Sequence, residues 1–196
     1  MVQTNAAARS EAKRKEILRR AATVFRAKGF YGAGMREIAK GLGMAPGALY
    51  YYFESKEDLL YACQMTALKG LLRSAREITA TGEPPETQLR LLVAAHLDHI
   101  LMELGGGLAH VEFHALPKEQ LDEVVRGRDA YEKLVRSVIR AGKEHGAFRD
   151  VDEKLATLAI LGALNWTVVW WKPEGRRRPP DVGEEFANIL IEGLKR

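Results

Sequence analysis

From Ile17 to Leu194 the apolar residues of this chain fall three and four apart, and nowhere do they alternate with polar ones for the length of a strand. Side chains repeat every 3.6 residues on a helix and every two on a strand, so the pattern admits an all-α fold. Glycine and proline set its punctuation. The predicted helices cover residues 9–28, ended by Gly29, then 35–42, 46–52 and 56 to about 81, stopped by Gly82-Glu83-Pro84-Pro85. Further helices are expected over 87–103, up to Gly105-Gly106-Gly107, and over 108–115 and 118–145. The long one carries Leu121, Val124, Val125, Tyr131, Leu134, Val135, Val138 and Ile139 as its buried stripe. Another is capped by Asp150 or Asp152 and reaches Trp171, and a last one spans 182–194 after a Pro/Gly/Arg loop. That makes about nine helices, without an internal repeat.

A chain of 196 residues, 46% of them apolar, can bury a substantial core. Its single cysteine, Cys63, rules out an intramolecular disulfide framework and every multi-cysteine zinc site. No leader-like or membrane-length apolar run is visible, so a soluble, cytoplasmic protein is expected. The net charge of +4 is unevenly spread: residues 1–60 hold 11 Lys/Arg against 6 Asp/Glu, and the remaining residues are close to neutral. Positive charge gathered in the first third suits a polyanionic partner, although a solvated basic surface would look the same.

The segment 35–52 narrows that choice. A short helix, a turn through Gly43-Met44-Ala45 and a second short helix opened by Pro46 have the geometry of a helix-turn-helix, whose second helix enters the DNA major groove. Ser55-Lys56-Glu57-Asp58 then reads as a capping box starting a long helix.

The residues around this unit carry more. Gly29-Phe30-Tyr31-Gly32, Met35-Arg36-Glu37-Ile38-Ala39, the run from Gly43 to Phe53, and Ser55-Lys56-Glu57-Asp58-Leu59-Leu60 together resemble the TetR family of transcriptional regulators. The resemblance covers roughly residues 10–62 and rests on several independent features at fixed spacing. It implies a DNA-binding domain over 1–55, a helical ligand-binding and dimerisation domain over 56–196, and a homodimer that releases operator DNA when an effector enters. On the matching positions, Ala45, Pro46, Gly47 and Ala48 let backbone approach base edges, and Ala48 can touch a thymine methyl. Tyr50 is placed against bases or sugar, Tyr51 and Tyr52 donate hydroxyls to phosphates, and Lys56 adds a charge at a helix start. Arg36 and the basic stretch around Lys13 and Arg14 add backbone contacts, whereas Leu49 and Phe53 belong to the core. Two departures stand out: Ala33-Gly34 and Ala45 replace the hydroxyl residues usual at these caps, each missing cap costing about 1 kcal/mol, less at glycine.

The remainder is less explicit. The stretch from Leu164 to Gly175 resembles the branch of TetR regulators that respond to acyl-coenzyme A thioesters of fatty-acid, phenylacetate or sterol breakdown. An acyl chain needs an apolar tunnel between helices, for which Leu97, Leu101, Phe113, Tyr131, Leu134, Trp166 and Trp170 are candidate walls. Arg176, Arg177 and Arg178 are candidate partners for coenzyme A phosphates. Leu158, Leu161, Leu164 and Ile189 are candidate dimer contacts in a four-helix bundle across a two-fold axis. Packed tryptophans and solvated arginines are the plain alternatives for the tunnel and the arginine run. His96 with His99, and His110 with His114, are spaced to pair imidazoles on a helix face, as a zinc or nickel site would need. The metalloprotease pattern is absent, because Val111 stands where its glutamate would be, so pocket-lining or surface histidines are expected and no cofactor is assigned, while a different hydrophobic effector or a metal stays open as the alternative. No nucleophile elbow or phosphate loop is present, which disfavours an enzyme.

Overall fold

The computed structural model describes residues 2–103 and 113–195. Among these the chain forms eight α-helices: α1 (Val2–Gly32), α2 (Met35–Gly41), α3 (Pro46–Tyr50), α4 (Lys56–Thr79), α5 (Pro85–Asp98), α6 (Lys118–Glu144), α7 (Glu153–Trp170) and α8 (Pro179–Glu192). A π-helical turn, His99–Glu103, extends α5, and a 3-10 turn, Phe113–Ala115, precedes α6. The glycine triplet 105–107, most of the helix expected over 108–115, and His110 lie outside the described residues.

Local chemistry explains the helix ends. The α4 start is fixed by Ser55, whose hydroxyl oxygen accepts from the Asp58 backbone N–H at 3.0 Å and donates to the Asp58 carboxylate at 2.6 Å. Asp152, the second of two candidate caps, accepts from Leu155 N–H at 2.9 Å and starts α7. Prolines occupy the first turn of α3, α5 and α8, where a missing N–H costs nothing. Pro179 therefore opens α8 ahead of the predicted boundary at 182. The first helix also begins early, through an alanine-rich start whose helix propensity a search for an apolar stripe misses. At Gly29 the backbone turns to φ 70, ψ 170, breaking α1, yet helical geometry resumes to Gly32.

Two hydrophobic clusters result. The first joins α1, α2 and α3 to the start of α4 through Ile17, Phe25, Ile38, Leu49, Phe53, Leu59 and Cys63, and reaches Leu116 and Val124 near the start of α6. Cys63 is fully buried there, its Sγ 3.6 Å from the Leu18 carbonyl oxygen. The second cluster packs the rest of α4 with α5 to α8 around Leu71, Leu89, Leu97, Val135, Ile139, Ile160 and Ile191. Helix α4 belongs to both. Its crossing of α6 is close: a Cβ on Gly127 would stand 2.2 Å from Leu68 Cδ2. Val125, expected in the buried stripe of α6, is instead exposed. The chain closes with an isolated antiparallel bridge between Phe148 and Lys195. No described helix is long and apolar enough to cross a membrane.

Candidate nucleic-acid interface and ligand cavity

The α2–turn–α3 unit is built so that one face is apolar and sealed while the other is open. Met35, Ile38 and Ala39 anchor α2, and Leu49 with Phe53 anchors α3 and the turn after it. Between the helices, Gly43 adopts φ 63, a left-handed conformation that glycine enters without strain. Lys28 on α1 pairs with Glu37 on α2 at 2.7 Å. With that face fixed, Arg36, Ala45, Pro46, Gly47, Ala48, Tyr50 and Tyr51 all lie on the exposed side. Nothing approaches within 4 Å of a Cβ built on Gly47, so the backbone of the first turn of α3 is open to a partner. Helix α3 ends at Tyr50, two residues before the expected boundary. Tyr51 is 84% exposed and touches the ring of the half-buried Tyr52 edge-on at 5.4 Å. Tyr31, near the end of α1, is 78% exposed.

Two of the expected basic contacts turn inward instead. Arg14 donates from Nη1 to the Tyr52 carbonyl oxygen at 3.2 Å and lies over the Phe53 ring, 4.3 Å from its centre. It clips α1 to the end of the reading unit. The Lys56 ammonium donates to the carbonyl oxygens of Phe30 at 2.8 Å and Ala33 at 3.1 Å and sits 4.2 Å from the centre of the Phe30 ring. The Phe30 carbonyl also accepts from the Ala33 backbone N–H at 3.3 Å, so the lysine adds a charged donor where α1 ends.

A cavity of about 350 Å³ lies among α4, α5, α6 and α7. Ala67, Leu68, Leu71, Leu158 and Leu161 give it apolar walls, while Gln64, His96, Arg128, Tyr131, Glu132 and Asn165 bring polar groups. Of the expected tunnel walls, Tyr131 is found here. Leu97 and Leu101 fill the protomer core, and Leu134 packs on it. Phe113 packs against the first cluster, beneath the Arg128 guanidinium at 4.0 Å. Trp166 and Trp170 are displaced from the expected tunnel to the surface, 63% and 41% exposed. The dimer candidates divide as well: Ile189 is exposed, Leu158 is exposed and also lines the cavity beside Leu161, and Leu164 is buried in the protomer's own core. Helix α7 is apolar on every side from Leu155 to Trp170, so the sequence left its facing open.

His96 and His99 are hydrogen-bonded to neighbouring side chains. His96 Nδ1 is 3.0 Å from the Tyr131 hydroxyl and its Nε2 is 2.9 Å from Asn165 Oδ1. His99 Nε2 is 2.9 Å from the Ser74 hydroxyl. Among the described residues no group of three His, Cys, Asp or Glu side chains is placed to hold a metal ion. Burial lowers the Arg128 guanidinium to about 10 and pushes the Tyr131 phenol up. Between α7 and α8, Trp171 Nε1 donates to the Arg177 carbonyl oxygen at 2.9 Å, and Arg178 is tied to Asp181 by bonds of 3.1 and 3.0 Å. Arg176 and Arg177 are exposed.

The head and the cavity walls are also joined. Gln120 on α6 donates to Asp58 at 2.7 Å, and Tyr61 on α4 donates to the Glu123 carboxylate. That second bond raises the Tyr61 phenol to about 12, because ionising it would set two anions together.

This architecture has known counterparts. Residues 17–63 match the family described as bacterial regulatory proteins, tetR family, and residues 82–194 match the tetracyclin repressor-like C-terminal domain. The crystal structure of the TetR family transcriptional regulator PfmR from Thermus thermophilus superposes with a TM-score of 0.81 at 31% identity, covering 92% of this chain and 99% of that one. The HTH-type transcriptional repressor KstR2 of Rhodococcus jostii is 28% identical over 93% of this chain and 91% of its own length. The fatty acid metabolism regulator protein of Bacillus subtilis is 24% identical over 80% of this chain and 81% of its own.

Proposed function

The chain belongs to the TetR family of bacterial regulatory proteins, and on that premise we propose that it is a homodimeric repressor, freed from operator DNA by an acyl-coenzyme A effector. The observation that carries the DNA-binding part is the two-sidedness of α3: Leu49 is sealed in the core while Ala45 to Ala48, Tyr50 and Tyr51 stand exposed. In this reading the open first turn of α3 meets base edges, and Tyr51 and Arg36 hold phosphates on either side. Lys56 contributes through the α4 start, its ammonium being occupied by carbonyls.

Two such heads must lie about 34 Å apart to reach successive major grooves on one face of the duplex. The exposed apolar stripe of α7, with Leu155, Leu158, Trp166 and Val169, supports a two-fold contact between protomers. An acyl chain is assigned to the cavity on the strength of its apolar walls, and the phosphates to Arg176 and Arg177 because both are exposed cations. The names of the Rhodococcus and Bacillus relatives, a repressor and a regulator of fatty acid metabolism, agree with repression and with an acyl ligand. Ligand that parts α6 from α4 strains the Gln120–Asp58 and Tyr61–Glu123 ties, tilts α4 and upsets the head spacing. The shift in DNA affinity equals the effector's preference for the tilted state.

The test is fluorescence anisotropy with an operator selected from random duplexes. Arg36→Ala combined with Tyr51→Phe is expected to weaken binding about tenfold or more, since hydrogen bonds to a charged phosphate are lost. Unchanged affinity would remove the proposed DNA face. Octanoyl-coenzyme A is expected to release the wild-type protein from the operator, and failure at saturation would remove the proposed effector.

A further inference from the structure

The cavity holds a chain of hydrogen bonds that its apolar walls do not require. His96, 2% exposed, lies between the Tyr131 hydroxyl at Nδ1 and Asn165 Oδ1 at Nε2. Asn165 offers its carbonyl oxygen to His96, and an amide oxygen only accepts. Nε2 therefore carries the hydrogen and donates. A neutral imidazole with its hydrogen on Nε2 has a bare Nδ1, which accepts from the Tyr131 hydroxyl. For the neutral imidazole the donor sequence runs Tyr131 O–H to His96, then His96 N–H to Asn165.

The last link is the Asn165 amide nitrogen. It sits opposite Oδ1 across the same carbon, on a residue that lines the cavity, and it brings two N–H donors and no acceptor. Each bond polarises the next, so the relay strengthens its terminal donor. We infer that Asn165 is the specificity-determining residue of the cavity, binding the carbonyl oxygen of the effector, with His96 and Tyr131 as positioning residues that fix the amide's orientation. This rests on the reading that the cavity holds the effector's acyl chain. The chemical class selected is a neutral ligand with an acceptor oxygen embedded in an apolar body: a thioester. A saturated thioether offers the Asn165 donors no carbonyl acceptor, which costs affinity.

The experiment compares octanoyl-coenzyme A with S-octyl-coenzyme A, in which a methylene replaces the carbonyl, by isothermal titration of the full-length protein. Wild type is expected to prefer the thioester at least about tenfold. Asn165→Leu should erase that preference while still binding both compounds. Asn165→Asp, nearly the same shape, keeps the proposal testable if the leucine variant does not fold, and it too should lose the preference. Ala67→Trp, which fills the cavity from α4, should lose both ligands. A wild type without preference, or a preference that survives in both Asn165 variants, overturns the assignment of Asn165 and leaves the cavity reading intact. Undiminished binding of both compounds by Ala67→Trp, or no binding of either by wild type, overturns the cavity reading and this inference with it.

Discussion

Gly43 shows what a single residue contributes to the head. Its φ of 63 is required by the turn, and a Cβ there would meet nothing within 4 Å. Gly43→Ala is therefore expected to destabilise the protein by about 1–2 kcal/mol through backbone conformation alone. Gly43→Asn should recover part of the loss, because asparagine tolerates the left-handed region. Urea unfolding of the three proteins checks this, and an alanine variant as stable as wild type would contradict it. The glycine was legible in the sequence because backbone permission is a property of one residue. The directions of Arg14 and Lys56 were not. Both look like DNA-facing cations in a basic stretch, yet each is drawn to a carbonyl and an aromatic ring that only the folded head brings near. Asn165 went unread for a related reason: its meaning depends on His96 and Tyr131, far away in the chain.

Among the elements, helix starts were legible wherever a side chain or a proline acts locally, as at Ser55, Asp152 and Pro46. Facing was legible where a helix has one apolar side, as in α2, and lost where it has none, as in α7. That is why Leu164 is found in the protomer core and Trp166 on the surface. The ties between α4 and α6 belong to this scale. Tyr61 bonded to Glu123 titrates at about 12 in the folded protein against an ordinary 10.0. A raised folded value means the tie contributes fully below pH 10 and is lost as pH rises from 10 to 12. Tyr61→Phe is expected to cost about 1 kcal/mol at neutral pH, the exposed pair being screened by solvent. It should also flatten the alkaline limb of the stability profile. Thermal melts of both proteins between pH 7 and 12 provide the comparison, and parallel profiles would show that the bond contributes nothing.

For the whole molecule, the all-helical fold and the reading head were apparent from periodicity and from the spaced residues between Gly29 and Leu60. How the body presents itself was not, since an apolar run does not reveal which side meets solvent. The surface stripe of Leu155, Leu158, Trp166 and Val169 is the feature that a second protomer would cover. If the proposed dimer forms through this stripe, Trp166→Glu is expected to give a folded monomer and to abolish operator binding, because one head alone has half the contacts. Sedimentation velocity alongside anisotropy tests it, and a variant that stays dimeric would move the contact elsewhere.

The position of Cys63 has a practical outcome for anyone following the molecule in motion. The sole thiol of the chain is shut between α1 and α4, with its ionisation pushed up by burial. A maleimide reaches it only when the first helix lifts away, so labelling kinetics time that opening directly, without an engineered probe. On the proposed mechanism operator should slow the reaction and octanoyl-coenzyme A should hasten it; equal rates in all three conditions would contradict a mechanism that loosens this seam.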